Sequence, residues 1–277
     1  MIGLVTDSSS QLPSALRERF AVQVVPLTIV VDGKEHEEGV DLDVDDFYAR
    51  LADGASVSTA APSPGRILRA WEAAAAAGAT EILSIHIGSN TSATVSAANL
   101  ALPMCATPVT VVDTGTASFP VACCVWGAGI VAERGGTAAE AARVARAIAD
   151  QIGNVFIVGA LDLARRGGRL ATGAEESDGV PVLAMEGGTM NVVGQAADRE
   201  AAVGAMADYV RDQSGEGAQR VGVGHAGALD IADDLAAALQ ALPMCSEVVR
   251  YDVGPSVGAH TGLGTVGAVF FPDDLAR

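Results

Sequence analysis

Short β-branched runs alternate with alanine-rich segments of helical length along most of this chain, and that alternation limits the folds open to it. The runs fall at residues 2–6, 22–31, 81–87, 109–112, 155–158, 221–224, 247–251 and 266–271, each ending in a loop of Asp, Ser, Thr or Gly. Helical segments lie at 13–20, 64–77, 91–102, 137–152, 199–213 and 230–242. Strands alternating with helices of this length predict an α/β fold with largely parallel pairing. One stretch departs. Asp32-Gly33, between Thr-Ile-Val-Val and Lys-Glu-His-Glu, predicts a hairpin, because Asp-Gly tolerates the positive φ of such turns.

The 277 residues suffice for one large or two modest domains. Ala101-Leu-Pro-Met-Cys105 recurs as Ala241-Leu-Pro-Met-Cys245, each time after an alanine-rich helix and before a valine-rich strand and an Asp-x-Gly loop. One such match also arises by coincidence in an Ala- and Leu-rich chain. A helix–strand–loop unit used once in each half fits two domains. These are an α/β domain over 1–158, mainly a parallel sheet with flanking helices, and an α+β domain over 159–277. A ligand cleft or tunnel is expected between them.

Charge narrows the function. Lys and Arg number 17 against 34 Asp and Glu, a formal net charge of −17. A binder of nucleic-acid phosphates needs a basic face, so nucleic acid is excluded as a partner. An anionic membrane surface is disfavoured for the same reason. The mean hydropathy of +0.33 comes from alanine and valine. No stretch reaches the roughly 18 uncharged apolar residues of a membrane span; the most apolar run, 119–132, is shorter and lies mid-chain. The first residues carry no basic region or cleavage site, so a cytoplasmic protein without stable membrane insertion is expected. Cys105, Cys123, Cys124 and Cys245 form no Cys-x-x-Cys pair and sit in apolar sequence, which reads as buried thiols rather than redox or metal ligands.

Two motifs near the C-terminus mislead. Gly254-Pro-Ser256-Val-Gly258 has the letters of a nucleophile elbow, but that motif needs a following helix, then an acid and a histidine. Ala259-His260-Thr261-Gly262 follows instead, with only Asp273 and Asp274 beyond. Gly262-Leu-Gly264-Thr-Val-Gly267 has the letters of a dinucleotide fingerprint but opens an apolar run that reads as a final strand. No Walker A loop or metal-spaced His/Cys cluster occurs, and His36, His86, His225 and His260 stand singly.

Four loops offer hydroxyls and backbone N–H groups at strand ends: 6–10, 57–63, 88–94 and 258–262. In the third, a strand ends in Gly-Ser-Asn-Thr-Ser and a helix beginning near Thr91 would place Ser92 in its first turn, a ready site for a small anion. Plain N-capping uses the same residue types. Arg165, Arg166 and Arg169 lie within five residues of one another, a basic spot that would attract an anionic ligand or partner. A solvated turn has the same composition.

Six motifs, in order along essentially the whole length, resemble the DegV family of bacterial fatty-acid-binding proteins, which includes lipid-carrying subunits of fatty acid kinase. Thr6-Asp7-Ser8-Ser9 is similar to its opening motif, and Pro26-Leu27, Asp32-Gly33 and Phe47-Tyr48 fit the next block. Residues 58–64 resemble its Thr-Ser-Gln-Pro-Ser motif, and residues 92–98 resemble Ser-Gly-Thr-Tyr-Gln-Ser-Ala. Gly167-Gly168-Arg169-Leu170 and residues 258–264 resemble Gly-Gly-Arg-Ile and His-x-Gly-Pro-Gly. The resemblance implies a long-chain fatty acid such as palmitate between two α/β domains, with no other cofactor. It implies a carboxylate held by Thr59 and Ser92, with His260 near the head group. Ser58 and Asn90, in the same loops, join them as ligand-binding candidates. A fatty acid kinase subunit is the partner it implies, with catalysis in that subunit. Ala60, Ala61, Ala93 and Leu263 depart from the motifs, in place of Ser, Gln, Gly and Pro, and the first two remove polar side chains around the head group. The alternative is an enzyme acting on a small anion in the cleft, with His260, flanked by glycines, as acid or base. A structural turn histidine is the plain reading of the same residue.

Overall fold

A computed structural model describes residues 1–166, 168, 170–171 and 179–276. The first half runs β1 (Ile2–Asp7), α1 (Ser14–Arg19), β2 (Gln23–Val25), β3 (Thr28–Val31) and β4 (Lys34–Glu37). It continues through α2 (Val44–Ala52), β5 (Val57–Ala60), α3 (Pro64–Ala76), β6 (Glu81–His86), α4 (Thr94–Ala101) and β7 (Val109–Asp113). Two long helices follow, α5 (Phe119–Glu133) and α6 (Ala138–Gln151). The second half runs β8 (Gly153–Ile157), α7 (Leu161–Arg166), β9 (Val180–Glu186), β10 (Thr189–Ala196) and α8 (Arg199–Gln213). It ends with β11 (Gln219–His225), α9 (Leu229–Gln240), β12 (Cys245–Asp252), α10 (Pro255–Thr261) and β13 (Val266–Pro272).

The fold is α/β. A four-stranded sheet, order β2-β1-β6-β7, is parallel throughout. A six-stranded mixed sheet, order β10-β9-β8-β13-β11-β12, draws all its strands from residue 153 onward. A small antiparallel sheet, β4-β3-β5, completes the set. The expected hairpin is its β3–β4 turn, where Asp32 (φ 51°) and Gly33 (φ 81°) both take positive φ.

Two expectations need correction, the single strand over 22–31 and the burial of all four thiols, and the apolar run 119–132 proves to be a helix. The run 22–31 is two strands in two sheets: Pro26 interrupts it, and the Leu27 N–H bonds the Ser8 hydroxyl at 2.9 Å instead of a ladder. The apolar run 119–132 is the first fourteen residues of α5, whose residues from Phe119 to Ile130 are all buried. A helix that is apolar on every side must be enclosed on every side. Here the four-stranded sheet, α6 and β13 surround it, in one core that includes Leu83, Ile85, Trp126, Ile148 and Phe271. Cys123 and Cys124 lie in that core, whereas Cys105 and Cys245 are only half-buried. No helix among the described residues is long and apolar enough to cross a membrane.

The six-stranded sheet has two distinct faces, because side chains alternate along a strand. Val155, Val221, Val223, Ala268 and Phe270 turn to α8 and α9. On the opposite face, Phe156, Gly267, Gly224 and Tyr251 form one row across β8, β13, β11 and β12. Glycine is required in these rows: a Cβ at Gly224 would come within 2.1 Å of the Tyr251 ring, and one at Gly222 within 2.1 Å of Phe119. Aromatic rings thus lie flat on a floor of bare backbone.

Candidate functional site

That floor is one wall of a cavity of about 1210 Å³. Phe156, Tyr251, Gly267 and Val269 contribute from the sheet, Ile152 follows α6, and Val57 to Ala61 belong to β5 and its exit loop. Ile87, Ser92 and residues 114–118 come from loops at the C-terminal ends of β6 and β7. Open parallel sheets take their ligands at that end, where loops and exposed backbone gather. The two loops are bonded together: the Gly88 N–H donates to the Thr116 carbonyl at 2.7 Å. A Cβ on Gly88 would lie 2.6 Å from the Gly115 backbone, so only glycine fits there. Asp113 ties the same loops, accepting from the backbone N–H groups of Ser89 at 3.1 Å and Gly115 at 3.0 Å. Burial pushes its carboxyl up, but the bonds from Ser89 and Gly115 outweigh this and hold it below its ordinary value.

Thr59 and His260, 201 residues apart, meet at this cavity with Oγ1 and Nε2 separated by 3.2 Å. Thr59 projects from β5, an edge strand, and His260 from the last turn of α10. Ser58 and Ser92 also line the wall. Ser92 stands two residues before α4 rather than in its first turn, since the helix begins at Thr94. Its hydroxyl accepts the Thr94 N–H at 3.3 Å and pairs with the Thr94 hydroxyl at 2.9 Å. Asn90 is exposed and donates to the Gly115 carbonyl at 3.3 Å, bracing the loop. Arg166 touches the cavity, whereas Arg165 is exposed and paired with Asp162 at 2.8 Å. Arg169 lies outside the described residues.

α10 corrects one sequence argument. A helix does follow Gly254-Pro-Ser256, so absence of a helix is no ground for rejecting the elbow. Its hydrogen bonds argue against a nucleophile instead. The Ser256 hydroxyl accepts from Gln11 Nε2 at 3.3 Å and its N–H donates to Glu38 Oε1 at 2.8 Å.

A chain of buried polar groups passes unseen in the sequence. Asp7 Oδ2 accepts from His86 Nδ1 at 2.9 Å and from the Ile87 N–H at 3.0 Å, while Oδ1 takes the Ser9 hydroxyl at 2.5 Å. His86 Nε2 meets the Ser84 hydroxyl at 2.7 Å, which accepts from Trp71 Nε1 at 2.8 Å. The order Ser–His–Asp imitates a catalytic relay. Yet Ser84, His86 and Asp7 are fully buried, and of the network's polar side chains only Ser9 reaches the cavity wall. The network anchors β1 to β6. The register that aligns Val5 with Ser84 brings its members together, a fact of sheet pairing rather than of sequence spacing.

Comparison with known proteins places this architecture. The profile of a family described as "Uncharacterised protein, DegV family" matches residues 1–273. The chain belongs to the DegV family. A DegV domain-containing protein of Streptomyces coelicolor is 32% identical over 273 residues, 97% of each chain. One from Mycobacterium tuberculosis is 32% identical over 271 residues, 95% of each. Among solved structures, a DegV family protein from Thermus thermophilus, described by its fatty acid binding, matches with a TM-score of 0.89. It shares 28% identity over 98% of this chain and 99% of that one. DegV from Bacillus subtilis matches in fold, with a TM-score of 0.85 at 22% identity over 97% and 98%. The DegV fold thus accounts for the three sheets and the helices around them.

Proposed function

We propose that this DegV protein holds one long-chain fatty acid, palmitate or a similar acid, in the cavity, with its carboxylate at Thr59, Ser92 and His260. The observation that carries the reading is the Thr59–His260 pair, 3.2 Å apart, on a cavity that Ser92 also lines. The fatty acid binding of the Thermus thermophilus relative supports it. The lobes would divide at residue 158, with acyl carbons over the glycine floor and oxygen ligands at the loops.

The energetics suit that division of labour. Burying an acyl chain of about fifteen methylenes gains roughly 12 kcal/mol before ordering costs, of which association takes back a large part. Each charge-assisted hydrogen bond to the head adds about 1.5–3 kcal/mol. The tail therefore supplies most of the affinity, and the alcohols orient the head and keep a desolvated carboxylate paired.

We further propose that the bound carboxylate is presented to a kinase subunit that makes the acyl phosphate, with Arg165, Arg166 and Arg169 as the contact for an anionic partner surface. The position of Arg166 on the cavity wall supports this. The test is direct. Lipid extracted from purified protein is identified by mass spectrometry, and the delipidated protein is titrated with palmitate and oleate. A fatty acid is expected in the extract, with saturable uptake. Thr59→Ala and Ser92→Ala are each expected to weaken binding about tenfold or more, and the double variant further still. Unchanged affinity in the double variant removes the head-group assignment; no bound lipid and no uptake overturn the reading.

A further inference from the structure

Tyr251 is a polar side chain in the apolar part of the cavity. Its ring stacks face to face on Phe119, centroids 4.1 Å apart and planes inclined by 3°. Gly224 lies beneath it, close enough that a Cβ there would strike the ring. Yet the residue is only partly buried, and it is one of the cavity's wall residues. Phe119 covers one ring face, and the phenol end of the ring lies over Gly224.

The hydroxyl makes no hydrogen bond among the described residues. Tyr48, a buried phenol, donates to the Val253 carbonyl at 2.6 Å. Enclosed phenols ordinarily find a partner, because an unpaired donor loses its hydration without compensation. Burial, with a smaller contribution from Cys123, pushes the Tyr251 phenol far above its ordinary value, so it remains a proton donor. Asn154, in the next row of the floor, is engaged: its amide spans the Met185 backbone at 3.1 and 2.7 Å. Tyr251 is therefore the available donor on this floor, on a different element from Thr59 and His260.

We infer that Tyr251 is a specificity residue that donates a hydrogen bond to an oxygen carried along the acyl chain. The cavity thereby prefers hydroxy- or oxo-substituted long-chain acids to the plain acid of equal length. The inference rests on the fatty-acid reading above and names the substrate class within it. A plain chain covers the phenol with methylenes and leaves its donor unpaired, whereas an oxygen at the right carbon pairs it. One neutral hydrogen bond of this kind corresponds to about a three- to tenfold difference in affinity.

The experiment titrates the delipidated full chain with stearate, a positional series of hydroxystearates and the matching oxostearates, in wild type and Tyr251→Phe. The expected result is a maximum at one region of the chain, about three- to tenfold tighter than stearate. Tyr251→Phe, which keeps the ring stack, should bring that isomer to within twofold of stearate, with stearate itself bound at least as tightly as by wild type because no donor is left unpaired under its methylenes. A flat wild-type series overturns the inference whatever the variant does. So does a preference that survives Tyr251→Phe, or a variant that weakens stearate as much as the substituted acids, which would place the hydroxyl on the carboxylate. Failure of every acid to bind wild type overturns the fatty-acid reading and this inference with it; equal binding of all of them overturns this inference alone.

Discussion

A carboxylate without solvent needs partners on both oxygens, and Asp7 has them: His86 and the Ile87 N–H on one, Ser9 on the other. Asp7→Ala removes the acceptor and leaves His86 Nδ1 and the Ile87 N–H buried and unpaired. Breaking a buried pair of this kind costs about 3–5 kcal/mol, to be read as a lower midpoint in urea denaturation at unchanged slope. A loss below about 0.5 kcal/mol, the range of ordinary surface substitutions, would show that water reaches the site. The sequence marks Thr6-Asp7-Ser8-Ser9 as a strand-end loop but conceals this role. His86 stands alone in the sequence, and only the pairing of β1 with β6 delivers it to Asp7. Tyr251 is hidden for a similar reason, since its place over Gly224 depends on the register of β11 and β12.

At the scale of elements, α10 matters most, because it carries His260 and is held from outside. Glu38, 7% exposed, accepts the Ser256 N–H at 2.8 Å and the Ser8 hydroxyl at 2.5 Å. Tyr48 bonds the Val253 carbonyl and packs against Gly258, where a Cβ would meet its hydroxyl at 2.2 Å. Both residues belong to the segment between β4 and β5, so the same segment that leads to Thr59 also seats the helix of His260. Burial raises the Glu38 carboxyl above its ordinary value of 4.5, against the bonds from Ser8 and Ser256. The folded state then holds this proton more tightly than the unfolded chain, and stability falls as pH rises from about 4.5 toward the folded value. Glu38→Gln keeps the shape without the titration. The stability of wild type relative to Glu38→Gln should therefore decline across that window in urea denaturation. A difference constant with pH would contradict the assignment.

Element by element, the parallel strands and long helices were readable because each has its own periodicity. α10 was not, since a seven-residue helix containing Gly258 and bounded by Gly254 and Gly262 draws its stability from Glu38 and Tyr48 rather than from propensity. The β9–β10 hairpin lies outside the expected strands although its turn has a sequence signal. Gly187-Gly188, at φ 56° and 86°, is a hairpin turn that Gly-Gly signals between apolar runs.

At the scale of the whole molecule, a cavity of about 1210 Å³ lies beside a solid core, and both share one helix. α5 fills the space between the two sheets with side chains. Near its N-terminus Phe119 and Tyr251 lie over glycines, and Pro120 joins the wall. The alanine and valine content served equally for core and cavity, which is why composition alone did not separate them. The proposed fatty acid would lie in this cavity, where the two halves of the chain meet. A palmitate analogue with a diazirine near its methyl end, irradiated on the protein and mapped by peptide mass spectrometry, tests this placement most directly. Labels are expected on wall residues such as Phe156, Ile152 and Val269, and should vanish under excess palmitate. Labels confined to the outer surface, or labels that palmitate does not compete away, would contradict the account.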